Sequence, residues 1–143
     1  MKSSHPYKEY QANSINTADQ RQLIVMLYEG ALRFIQEAEG HMQSYRTFDK
    51  ANIAILRAQD ILTELMVSLD LEKGGEIAQN LFNLYAFVKK QLLEANIEKK
   101  TDELVSAKKI LKDLATAWKE LDMQAATKDL KKERPAGGFS AEG

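Results

Sequence analysis

The stretch Leu69-Asp70-Leu71-Glu72-Lys73-Gly74-Gly75-Glu76-Ile77-Ala78, continued by Asn80-Leu81, Leu84-Tyr85 and Leu92-Leu93-Glu94-Ala95-Asn96, decides how this chain folds. A long segment with helical apolar periodicity runs into it, the Gly-Gly pair breaks and reverses the chain, and a second periodic segment runs out. The pattern predicts a helical hairpin. Working backward, a helix over about 47–70 has a core stripe of Ala51, Ala54, Ile55, Ala58, Ile61, Leu62, Leu65 and Leu69. Working forward, a helix over about 75–96 buries Ile77, Leu81, Leu84, Val88, Leu92 and Ala95. At about 100° per residue, Ile53, Leu56, Val67 and Leu71 fall opposite the first stripe, and Phe82, Ala86 and Leu93 fall away from the second. Both helices are thus apolar on the face that should be wet.

Outside the hairpin the same periodicity predicts two more helices. Thr17 with Gln20, or Asp19 with Gln22, has capping-box spacing and starts a helix over about 18–43, with Leu23, Met26, Leu27, Gly30, Ala31, Phe34, Ala38 and Met42 as its stripe. Gly30 costs about 1 kcal/mol in mid-helix relative to Ala, which a close helix crossing would offset. Leu104, Ala107, Leu111, Leu114, Trp118 and Leu121 mark a fourth helix over about 102–123, its lysines outward. The prolines are Pro6 and Pro135, so nothing between Tyr7 and Arg134 stops a helix by that route. The expected fold is all-α: an antiparallel up-down-up-down four-helix bundle over 18–124. Residues 1–17 precede it and 125–143 follow as a polar tail expected to be disordered. Tyr7, Tyr10 and Ile15 give the first segment three apolar anchors. It reads either as a strap lying against the domain or as a disordered terminus with incidental aromatics.

Composition narrows the function. A chain of 143 residues builds one domain with a real core. Twenty Lys and Arg against twenty-one Asp and Glu give no basic excess for gripping nucleic acid. The absence of cysteine excludes disulfides, thiolate nucleophiles and zinc-thiolate sites. No apolar run reaches the roughly 20 residues that span a bilayer, and Met1-Lys2-Ser3-Ser4-His5-Pro6 is not a signal peptide, so membrane insertion is not expected and a cytoplasmic location is. No catalytic residue, metal ligand or cofactor site is assigned. The only histidines, His5 and His41, lack the Glu-x-x-His spacing of a di-metal bundle. Lys73-Gly74-Gly75 lacks the phosphate-loop frame and reads as a turn needing positive φ. No base and orienting acid can be assigned to Ser14, Ser44 or Ser68. A phosphoacceptor role for His41 is the weakest functional reading, because it lies at a helix end. Seven apolar residues on one two-helix surface exceed scattered exposure and suit a groove that receives an amphipathic segment of another protein. The competing reading is a self-associating adaptor that uses the surface as a weak homodimer seam.

The hairpin residues Asp70 to Leu81, with Leu84-Tyr85 and Leu92-Leu93-Glu94-Ala95-Asn96, resemble the flagellar secretion chaperone FliS family. Leu23-Ile24-Val25-Met26-Leu27-Tyr28-Glu29-Gly30-Ala31 resembles its first-helix signature and Ala117-Trp118-Lys119 the end of its fourth helix. The resemblance covers about Tyr7 to Leu121. It implies a cytoplasmic export chaperone, not an enzyme, that binds the disordered C-terminal segment of flagellin, prevents premature polymerisation and aids delivery to the type III export gate. It further implies an N-terminal segment that lies over part of the client site and is displaced on binding, with Tyr10 matching the family's recurrent tyrosine. One departure is local: Asp19-Gln20 stands where the family often has Ser-Pro. The flagellin-binding residues expected on this basis are Tyr7, Tyr10, Ile15, Ile53, Leu56, Val67, Leu71, Phe82, Ala86 and Leu93.

Overall fold

A computed structural model describes residues 17–137, with side chains described for 19–121, 123 and 124. Four α-helices are present among them: α1 Thr17–His41, α2 Phe48–Val67, α3 Leu71–Glu98 and α4 Asp102–Gly137, with a 3-10 turn at Tyr45–Thr47 before α2. No strand occurs among the described residues. The all-α four-helix expectation is met. The expected segment before the bundle, including Tyr7, Tyr10 and Ile15, lies outside the described residues except for Thr17, which opens α1.

Residues 26–115 form one compact unit, and every buried apolar residue among those described falls within it. Its core takes Tyr28, Ala31, Ile35, Ala38 and Met42 from α1 and its exit, Ala51, Ala54, Ile55, Ala58, Leu62 and Leu65 from α2, Ala78, Tyr85, Val88, Leu92 and Ala95 from α3, and Leu104, Ala107, Leu111 and Ala115 from α4. The three- and four-residue spacing is that of an amphipathic stripe. Short reversals hold consecutive helices antiparallel. After α1, Thr47 Oγ1 donates to the His41 carbonyl at 2.7 Å, and Ser44 Oγ accepts from the Arg46 amide at 3.2 Å. After α2, the carboxylate of Asp70 accepts from the Lys73 amide at 3.0 Å and caps α3. After α3, Lys99 takes a left-handed C-cap conformation, φ 55°, and its amide donates to the Ala95 carbonyl at 2.8 Å. The remaining unit comprises the stretches 1–25 and 116–143; within its described part Leu23, Ile24, Val25 and Trp118 are half-buried.

Several expectations need correction. The stripes of α1 and α3 are met in part: Gly30, Ala31, Ala38 and Met42 are buried in or just after α1 and Val88, Leu92 and Ala95 on α3, whereas Leu23, Leu27, Phe34, Leu81 and Leu84 are half-buried. Met26 and Ile77, read as core, are 64% and 74% exposed, while Tyr28 with Ile35 and Ala78 with Tyr85 take the buried positions. The cause is chemical: Tyr28 and Tyr85 bury their phenols against each other through a hydroxyl–hydroxyl hydrogen bond, ring centroids 6.2 Å apart. A tyrosine whose hydroxyl finds a partner is a core residue. Leu121 is exposed too, because the buried run of α4 ends at Ala115.

The hairpin reverses at Ser68–Asp70 rather than at the glycines, so α2 ends at Val67 and α3 begins at Leu71. Gly75 then interrupts α3 with φ 57° and ψ −136°, a conformation open essentially to glycine. A Cβ on Gly74 would stand 2.5 Å from the Ala78 Cβ, too close to be accommodated without a shift. The fourth helix is bounded at Gly137, past the end expected near 123. Its Ala, Lys, Glu and Leu content favours helix. Gly30 lies against α2, where a Cβ would meet Ile61 Cδ1 at 3.2 Å, the close crossing expected there.

Candidate functional site

Most of the exposed apolar residues of the hairpin fall along two lines. On α2, Ile53, Leu56, Asp60, Thr63 and Val67 succeed one another at three or four residues, opposite the core stripe. On α3 the corresponding line is Phe82, Ala86, Lys89, Leu93 and Ile97. A polar seam fixes their register. Asn96 Nδ2 donates to Asn52 Oδ1 at 2.6 Å, Gln59 Nε2 donates to the Lys89 carbonyl at 3.3 Å, and Lys89 Nζ donates to Thr63 Oγ1 at 2.8 Å. These bonds pair the helices antiparallel, which sets Leu56 level with Leu93 and Val67 level with Phe82.

The result is a shallow apolar groove along the outer side of the hairpin. One end is aliphatic, built by Ile53, Leu56, Leu93 and Ile97; the other is built by Val67, Phe82 and Ala86. Between the ends lies a polar waist of Gln59, Thr63 and Lys89. Leu56 and Leu93 are each about half exposed, at 47% and 48%. Single exposed leucines need no explanation, whereas a contiguous apolar strip does.

The expected helical site residues are Ile53, Leu56, Val67, Leu71, Phe82, Ala86 and Leu93. Phe82 is half-buried and the other six are exposed. Tyr7, Tyr10 and Ile15 cannot be placed, lying outside the described residues. Ile97, 71% exposed, extends the aliphatic end and was missed. Its signal was present: it follows Leu93 by four residues, but the helix was expected to stop at Asn96, one position before it. Phe87 is also exposed, though on a different side of α3.

Among the described residues no group of three or more His, Cys, Asp or Glu side chains is placed to hold a metal ion, and no helix is long and apolar enough to cross a membrane. His41 is half-buried at the last residue of α1. The phenol of Tyr85 is raised above its ordinary 10.0 by desolvation, partly offset by the hydrogen bond with Tyr28. It lies in the core rather than in the groove.

Fold and groove together define a helical-bundle protein with an open apolar face on its central hairpin. The family model described as flagellar protein FliS matches residues 3–125. Similar proteins include the flagellar secretion chaperone FliS of Bacillus subtilis, 31% identical over 140 residues that cover 98% of this chain and 100% of that protein. The protein of the same name from Campylobacter jejuni is 33% identical over 121 residues, 85% of this chain and 94% of that one. Its namesake from Escherichia coli is 32% identical over 109 residues, 76% of this chain and 79% of that one. The chain belongs to the FliS family, whose similar members bear the name of flagellar secretion chaperones.

Proposed function

We propose that this protein is a cytoplasmic export chaperone without enzymatic activity, which binds the disordered C-terminal segment of flagellin and aids its delivery to the flagellar type III export gate. The observation that carries the proposal is the open groove of Ile53, Leu56, Val67, Phe82, Ala86, Leu93 and Ile97 on a chain of this family. A client segment that cannot bury its own apolar face stays disordered and prone to assemble. Laid as an amphipathic helix along the groove, it exchanges water for apolar contact. Ordering it costs about 2–5 kcal/mol or more of the gross interaction energy, which leaves the complex releasable at the export gate.

Calorimetric titration with a peptide of the organism's own flagellin C-terminal segment tests this. One-to-one binding with a negative heat-capacity change, abolished by Leu56→Glu, is the expected result. A correctly folded protein that ignores the peptide and whose mass rises with its own concentration would instead place a second copy of the chain in the groove.

A further inference from the structure

The waist of the groove carries a charge that the fold does not neutralise. Lys89 is half-buried on α3, between Ala86 and Leu93, and its ammonium donates to the Thr63 hydroxyl at 2.8 Å. An ammonium has three donors, and among the described residues no carboxylate pairs with this one. The nearby Gln59 donates its Nε2 to the Lys89 backbone carbonyl at 3.3 Å. Asp60 is exposed on α2 at the same level and does not pair with it. Elsewhere in the bundle a lysine at a helix contact has found its anion: Lys108 meets Glu39 at 2.7 Å.

A ligand that closes over the groove removes water from Lys89. Unless it brings an acceptor, the ammonium loses hydration with nothing in return, and the cost falls on affinity. We infer that the flagellin segment proposed above places a carboxylate side chain against Lys89, between two apolar clusters seated in the two ends of the groove. The inference rests on that proposal and specifies the client's pattern. Leu56 to Val67 spans about 16 Å at the helical rise of about 1.5 Å per residue, so the bound helix carries its outer anchors about eleven residues apart. Lys89 stands four residues from Leu93 and seven from Phe82 along α3. The client acid is accordingly off-centre, nearer the residues that seat beside Leu56 and Leu93. Lys89 then acts as a specificity residue, since an all-apolar helix of the same length leaves its charge uncompensated.

The test uses the full chain and synthetic flagellin C-terminal peptides in which each Asp or Glu is replaced in turn by Asn or Gln. Lys89→Met should keep the thermal melt of the wild type and bind the unmodified peptide roughly tenfold more weakly, the size of one charge-assisted hydrogen bond. One altered peptide should show the same loss with the wild-type protein and no further loss with Lys89→Met. The wild-type affinity should fall as salt rises from about 50 to about 500 mM more steeply than that of the variant. Lys89→Met binding as tightly as the wild type, or losing affinity equally for every peptide, overturns the inference. Binding that remains sensitive to Leu56→Glu would leave the groove proposal standing in that event. Wild-type protein that binds no peptide overturns both.

Discussion

Tyr28 and Tyr85 show how a polar handle can hide a core residue. Each phenol supplies the other's hydrogen-bond partner, so both rings are buried without an exposed hydroxyl. Tyr28 and Tyr85 were absent from the expected stripes of α1 and α3, which put Met26 and Ile77 inside while naming Ala31, Ala38, Val88, Leu92 and Ala95 correctly. The α2 stripe, built only from alanines, leucines and isoleucines, was legible without error in its buried members. The buried phenol also couples stability to alkaline pH. Tyr85 holds its proton to higher pH when folded than when unfolded, where it titrates near 10.0. Its contribution is therefore fully present below about pH 10 and lost as pH rises through the folded value. Tyr85→Phe should lower stability near pH 7 by about 1 kcal/mol, the loss of a buried hydrogen bond, and flatten the decline above about pH 10. Denaturant melts across that range check both effects; a decline of unchanged steepness would mean that other groups govern it.

The hairpin was legible as an element, its corner less so. The Gly-Gly pair looked like the reversal, but the chain turns at Ser68–Asp70 and places the glycines inside α3, where Gly75 takes a backbone conformation and Gly74 a close approach that a side chain would forbid. Asp70 as a cap was the available signal for the earlier start. Gly75→Ala should destabilise the protein by about 1–3 kcal/mol, read as a lowered melting temperature; an unchanged melt would mean the break is dispensable. The two faces of the hairpin separate in a second comparison. Leu56→Glu leaves the helical melt nearly unchanged, because the side chain is already half in water. Leu92→Glu removes the cooperative transition by burying an unpaired charge. Equal losses from the two would mean that Leu56 and Leu92 do not lie on opposite faces of the hairpin. Leu81 and Phe82, expected to contrast in the same way, are both half-buried and should give intermediate, similar losses.

For the molecule as a whole, helix number and order were readable from the apolar periods and the absence of proline, and the candidate groove from its surplus of apolar residues. Its polar waist was not, because Lys89 and Thr63 become neighbours only through the antiparallel register. If the groove receives flagellin, the protein's melting temperature should rise with added C-terminal peptide, by mass action equivalent to about 2.7 kcal/mol at a hundredfold excess over Kd. Leu56→Glu should abolish that rise; a rise that survives the substitution would place the peptide elsewhere. The short reversals have a further consequence, for kinetics. Each helix of the 26–115 unit meets its successor across only a few residues of loop, so the search for native contacts is largely local, and helical bundles of this kind fold in microseconds to milliseconds. Both prolines, Pro6 and Pro135, lie outside that unit, which removes the slow isomerisation steps that hold back other chains for tens of seconds. A newly made chain thus completes its 26–115 unit almost as soon as that unit leaves the ribosome.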